Sequence, residues 1–138
     1  MKHITHLLSK TKDGGPKSPV DAYFLIEIKG LFSIALLKFN KGCREEYHTH
    51  AFNAYTWFLK GDLLAEDVNG STLTYKRSLI PKVTLKGKNH RVKAIKDSWC
   101  FTLRGPWDDS WTEYDEKLDV TTVLGNHRIV LGKVGGVL

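Results

Sequence analysis

Two histidines one residue apart, His48 and His50, stand at the centre of GCREEYHTHAFNAYTWFLKG, residues 42–61. On an extended segment, residues i and i+2 project from the same face, so both imidazoles reach one point. Neutral imidazole suits zinc, copper, iron and nickel, and two rings at this spacing are a natural pair of metal ligands. A third histidine, His90, lies forty residues on in KGKNHRVKAI, beside another run that reads as a strand. Two strands of one barrel would bring the three rings together. The chain has six histidines, and only these three fall in such an arrangement.

The elements that must hold them read as strands. AYFLIEIK and LFSIALLKF are β-branched and aromatic runs joined at Lys29-Gly30, a short hairpin-like turn. YTWFLKG follows the histidines, and DLLAEDVNGSTLTYKR turns at Asn69-Gly70, a strong hairpin signal. KVTLKG, HRVKAIK and SWCFTLRG add three strands, with turns at Gly87 and at Lys96-Asp97. Strands this short and this closely spaced predict an all-β barrel or sandwich rather than βαβ units. Residues 1–20 are polar and broken by Gly14, Gly15, Pro16 and Pro19, which predicts an arm with a short helical turn around His3 to Ser9. Residues 21–106 form the core. Residues 107–138 form a C-terminal extension that packs on the barrel or at a dimer interface. Within it, Trp107, Trp111 and Tyr114 recur at helical spacing, although Trp111 to Tyr114 reads equally well as a strand, and the tail reads as a further strand or hairpin.

At 138 residues the chain is one domain, long enough for a core that needs no covalent staples. No apolar run approaches the ~18 residues of a membrane span, and the first residues lack the apolar centre of a secretory signal. Cys43 and Cys100 are too few for a disulfide scaffold, so a reducing cytoplasm with free thiols is the expectation. The net charge is +6, and Lys82, Lys86, Lys88, Arg91 and Lys93 crowd around His90. A positive pocket mouth there would steer phosphates, carboxylates or nucleic acid toward it. Nucleic acid is the lesser reading, because no basic helix, zinc-finger spacing or aromatic RNA-binding motif accompanies the lysines.

The segment from Gly42 to Gly61 resembles the first motif of the cupin superfamily, in which a glycine, five residues, His-x-His, a glutamate and a closing glycine follow in order. The motif glutamate falls on Ala54, or on Tyr55 in the longer spacing. His90 is similar to the histidine of the second motif, with only Gly87 left of the turn that precedes it. The resemblance covers about the middle two-thirds of the chain. It implies a cupin-like β-barrel or jelly-roll sandwich that holds one divalent metal ion on His48, His50 and His90. Iron comes first, with nickel, manganese and zinc as alternatives. Cupins with three histidines and no glutamate include thiol dioxygenases and diketone-cleaving enzymes, so the resemblance implies a metal-dependent enzyme, dioxygenase-like or an isomerase, acting on a small anionic molecule. It equally admits a cupin without turnover that holds a small phosphate-bearing ligand or blocks a partner protein. Cupins often pair through terminal strands, which implies a homodimer.

Neighbours of the histidines are candidates for the pocket. On an unbroken strand Phe52, Ala54, Thr56 and Phe58 share the histidine face, and Tyr55 and Trp57 lie on the other. Ala54 removes a carboxylate and so leaves room for substrate. Arg104 ends an apolar strand, where its guanidinium either clamps a carboxylate or phosphate in bidentate fashion or pairs with Asp108. Arg91 adds a cation next to His90. Glu45 and Glu46 supply a fourth ligand, orient an imidazole or form a solvated rim. Cys100 reads as a buried structural thiol, and His127 as exposed.

Overall fold

The computed structural model describes residues 4–15, 18–42 and 46–138, so Cys43 and Glu45 lie outside the described residues. Among those described, every regular element is a strand except one short turn of 3-10 helix at Asn126–Arg128. In chain order the strands are β1 (Ile4–Lys12), β2 (Val20–Ile28), β3 (Phe32–Phe39), β4 (Tyr47–His48), β5 (Ala54–Lys60), β6 (Leu63–Asp67) and β7 (Thr72–Thr74). They continue as β8 (Lys82–Thr84), β9 (His90–Ala94), β10 (Ser98–Arg104), β11 (Ser110–Asp115), β12 (Val120–Gly125) and β13 (Val130–Gly135). One sheet has the order β1-β2-β3-β10-β5-β8 and the other β13-β12-β11-β4-β9-β6-β7, and all pairings are antiparallel. We refer to them as the first and second sheet.

Alternation builds the interior. In β3 and β10 every second residue is buried, so Ser33, Ala35, Leu37 and Phe39 face inward with Ser98, Cys100, Thr102 and Arg104. Phe24, Leu37 and Cys100 of the first sheet share one apolar cluster with Leu63, Val92 and Ala94 of the second, which locks the sheets face to face as a sandwich. Hairpins form where the turn residues predict them, at Lys29-Gly30 between β2 and β3 and at Asn69-Gly70 between β6 and β7. At the latter, Gly70 takes a φ of +93° and donates its N–H to the Asp67 carbonyl.

One expectation gives way. Residues 4–12 are an edge strand paired along its length with β2, not a helical turn in a loose arm. The open edge of β2 supplies the backbone partners, which outweighs weak local preference. The stretch from Trp111 to Tyr114 is strand, in register between β12 and β4, and the tail is the β12–β13 hairpin.

Gly61 explains itself sterically. Its φ is +110°, and a Cβ there would lie 2.6 Å from the Ser98 Cα. Gly61→Ala should therefore cost well over 1 kcal/mol, measured as a lowered denaturant midpoint. Gly42→Ala, at φ +81° with nothing within 4 Å of a Cβ, should cost less.

Candidate metal centre

The three histidines meet because β4 lies between β11 and β9, with His48 directly opposite His90. Their ring centroids are 5.1 Å apart. His50 follows just beyond β4, where the chain leaves the second sheet to begin β5 in the first. Its ring lies 4.8 Å from His48 and 5.1 Å from His90. One ligand nitrogen from each residue falls within 4.8 Å of the others, so the group could hold a metal ion. The Nε2 atoms of His48 and His50 are 3.1 Å apart. That is close to the separation of two nitrogens that each sit about 2.0–2.1 Å from a shared ion.

The hydrogen bonding fits such an ion. His48 Nδ1 lies 2.7 Å from the Glu46 carbonyl oxygen, which can only accept, so Nδ1 carries the proton and Nε2 presents a lone pair. Glu46 thus orients the imidazole through its backbone rather than through its carboxylate. His50 Nδ1 and both ring nitrogens of His90 are buried with no hydrogen-bond partner among the described residues. Buried polar atoms are nearly always paired, and an ion held on one nitrogen of each ring would give one of the His90 nitrogens its partner. Burial pushes the His90 pKa down to about 2, with the charges of His48, Lys82 and Lys88 adding to it. Burial likewise holds His50 well below the ordinary histidine range, helped by His48, His90 and Arg104. Both rings are therefore neutral, the form that binds metal. No carboxylate joins the group among the described residues.

His48 and His50 open onto a cavity of about 860 Å³ between the sheets. Phe52 stacks on His50 at 5.1 Å and lies against Trp107 at 5.2 Å, forming an apolar wall beside the histidines. Arg104 also reaches this cavity, 5 % exposed, with its guanidinium 4.7 Å from the Phe52 ring. It pairs with Asp13, whereas Asp108 pairs with Lys86. Arg91 is not brought to the cavity. It follows His90 by one residue and so takes the opposite face of β9, over the Tyr47 ring and between Glu66 and Glu116. Ala54 does not line the cavity either, and lies behind it in an apolar cluster with Ala51, Phe52, Trp107 and Trp111, which do. Of the cations expected to form a positive mouth at His90, Lys86 and Lys88 meet Asp108 and Asp67, and Arg91 meets its glutamates. Lys82 stays close enough to act on His90. Cys100 is fully buried, and burial raises its thiol to about 12. His127 is exposed at the cavity's edge.

The sequence reading missed a second polar group. Across the inner face of the first sheet, cross-strand partners form one row: His6 opposite Glu27, Glu27 opposite Ser33, Ser33 opposite Arg104, and Arg104 opposite Ala54. Glu27 is only 2 % exposed, accepts a hydrogen bond from Ser33 Oγ at 3.0 Å, and lies 4.0 Å from His6 Nε2. Both Glu27 and His6 line the cavity.

No family model matches the chain, and no curated protein matches its sequence. Solved structures do match. A sugar phosphate isomerase of the cupin superfamily from Silicibacter pomeroyi superposes with a TM-score of 0.63 over 93% of this chain and 88% of its own, at 13% identity. The chain has the cupin jelly-roll fold. An RmlC-like cupin from Desulfovibrio desulfuricans gives a TM-score of 0.53 at 17% identity, over 73% of this chain and 98% of its own. Ectoine synthase from P. lautus gives 0.57 at 16% identity, over 74% and 76% respectively. At such identities the likeness carries the jelly-roll fold and not an activity. Among the described residues, no helix is long and apolar enough to cross a membrane.

Proposed function

We propose that this cupin is a metal-dependent enzyme acting on a small anionic molecule, with iron as the ion and oxygen-dependent cleavage or oxidation as the reaction class. The observation that carries the reading is the convergence of His48, His50 and His90, with buried ring nitrogens left unpaired at the edge of a cavity. A bound ion supplies Lewis acidity, and iron adds electron exchange with dioxygen. Phe52, Trp107 and Trp111 give the histidine side of the cavity an apolar wall. The cavity carries acids as well as cations, with Lys12 paired to Asp21 and Arg104 to Asp13. An anionic occupant would meet Lys29 and the Arg104 guanidinium beside Trp107 and Phe52.

One observation favours metal-assisted isomerisation as a second reading. That chemistry needs a carboxylate to accept and return a proton, and Glu27 on the cavity wall is such a group, with His6 beside it. The isomerase among the structural neighbours shares the fold at 13% identity and lends no more than that.

Elemental analysis of the purified protein beside a His48→Ala/His90→Ala variant tests the metal. One ion per chain, lost in the variant, is the expected result, and an ion-free wild type after reconstitution would end the catalytic reading. With iron bound, small thiols and diketones should consume oxygen. In the isomerase case Glu27→Gln should abolish turnover while leaving metal content unchanged. Stoichiometric, metal-independent ligand binding without turnover would instead mark a sequestering protein.

We also propose a homodimer formed through β13. It is an edge strand, exposed along its length, that carries Val130, Leu131 and Val134. Exposed apolar edges pair readily with a second copy. Light scattering should give the mass of two chains for the wild type and of one for Val130→Lys/Val134→Lys. A monomeric wild type would remove the proposal.

A further inference from the structure

Arg104 is placed as a receptor would be. Its cross-strand neighbours are Ser33 and Ala54, neither of which is charged, so the sheet itself leaves the guanidinium without a counter-ion. Glu27, two strands along the same row, instead finds both its polar contacts on adjacent strands. The counter-ion of Arg104 comes from 91 residues away, on the turn after β1. Arg104 Nη1 and Nη2 donate to the two Asp13 carboxylate oxygens at 3.1 and 2.7 Å, the two-pronged geometry by which arginine grips any carboxylate or phosphate. Asp13 is 27% exposed at its side chain, and Gly14 and Gly15 follow it with φ of +100° and +104°. Such a turn can re-fold at little steric cost.

A second observation points the same way. Trp107 lines the same cavity against Phe52, and its indole N–H is buried with no acceptor among the described residues. Lys29 Nζ lies 4.6 Å over the Trp107 ring. A fork, an unused N–H donor and an ammonium thus gather beside the Phe52 ring that stacks on His50. Each would be matched by an acceptor oxygen of an anionic ligand.

We propose that Arg104 is the anion-recognition site of this cavity, taking a small ligand through a carboxylate or phosphate group, and that Asp13 is the resting occupant which the ligand displaces. A buried guanidinium left unpaired is costly, so the empty site needs a stand-in, and Asp13 fills that role. The ligand competes with a tethered carboxylate, which lowers its apparent affinity. The inference deepens the anionic-substrate reading above and specifies what recognises the charge.

The test uses the full-length, metal-free protein and titrates malonate and inorganic phosphate separately by calorimetry. Asp13→Asn should bind at least one of them about tenfold or more tightly than wild type, and the anion that gains more identifies the ligand class. Asp13→Asn/Arg104→Gln should bind neither. If that variant does not fold, Asp13→Asn/Arg104→Lys, which keeps the charge and loses the fork, should bind about tenfold more weakly than Asp13→Asn. In the wild type, malonate should shift the Gly14 and Gly15 amide resonances and the Trp107 indole N–H, and chloride at equal ionic strength should not. Equal affinity in Asp13→Asn and wild type, or undiminished binding without Arg104, overturns the proposal. Zinc uptake is measured in parallel. Lost anion binding with intact uptake rejects the Arg104 site alone, and the reverse rejects the metal reading alone.

Discussion

Zinc added to the metal-free protein at about a thousand times its dissociation constant should raise the melting temperature by roughly 10 °C. The size follows from linkage, since an ion that binds only the folded chain at that excess stabilises it by about 4 kcal/mol. The structure gives a reason for the selectivity. His48 and His90 are 42 residues apart in sequence and adjacent only through the pairing of β4 with β9, so the unfolded chain offers no comparable site. His48→Ala/His90→Ala should show no zinc-dependent shift, read by scanning calorimetry with and without the ion. An equal shift in that variant would place the binding elsewhere and remove the centre from consideration.

Mild acid should destabilise the metal-free protein steeply. His50 and His90 are held neutral in the folded state, chiefly by burial, while in the unfolded chain both titrate near the ordinary histidine value of 6.5. Above pH 6.5 both states carry neutral rings and pH has little leverage. Below it the unfolded chain takes up protons that the folded chain refuses, so stability falls as pH falls, and for His90 this continues to about pH 2. Between about pH 6.5 and 5 the slope approaches a limit of about 1.4 kcal/mol per pH unit for His90, and His50 acts in the same direction. Few ordinary carboxylates titrate in that window. Urea midpoints across it should drop sharply, with His90→Gln showing a shallower slope. A flat profile would mean that the rings accept protons in the folded state.

Much of this architecture can be read from the residues, and the departures have specific physical causes. Alternation places Arg104 inward because Cys100 and Thr102 precede it in phase, and it places Ala54, Thr56 and Phe58 opposite them with Tyr55 and Trp57 outward. It fails for Glu27. An extra residue, Leu25, interrupts the pairing of β2 with β3 between Phe24 and Ile26. That bulge turns Ile26 outward and Glu27 inward, and nothing in AYFLIEIK marks it. The histidine pair was found by its spacing, but the unbroken strand assumed to follow it breaks at the crossing between sheets. Arg91 was drawn in by its nearness to His90 in sequence, yet adjacent strand residues face opposite ways. Asp13 carried no signal at all, because a tertiary contact brings it to Arg104.

The place of β10 in the first sheet has a consequence for biosynthesis. β3 and β5 do not pair with each other, and each pairs instead with β10, which the ribosome makes some forty residues after β5 begins. Until Ser98–Arg104 emerges, the growing chain holds two half-sheets with open edges, the state most exposed to aggregation and to chaperone capture. Arg104 is the last residue of that strand, and its partner Asp13 is made 91 residues before it. The cavity that joins them comes into being only when the strand that completes the sheet is in place.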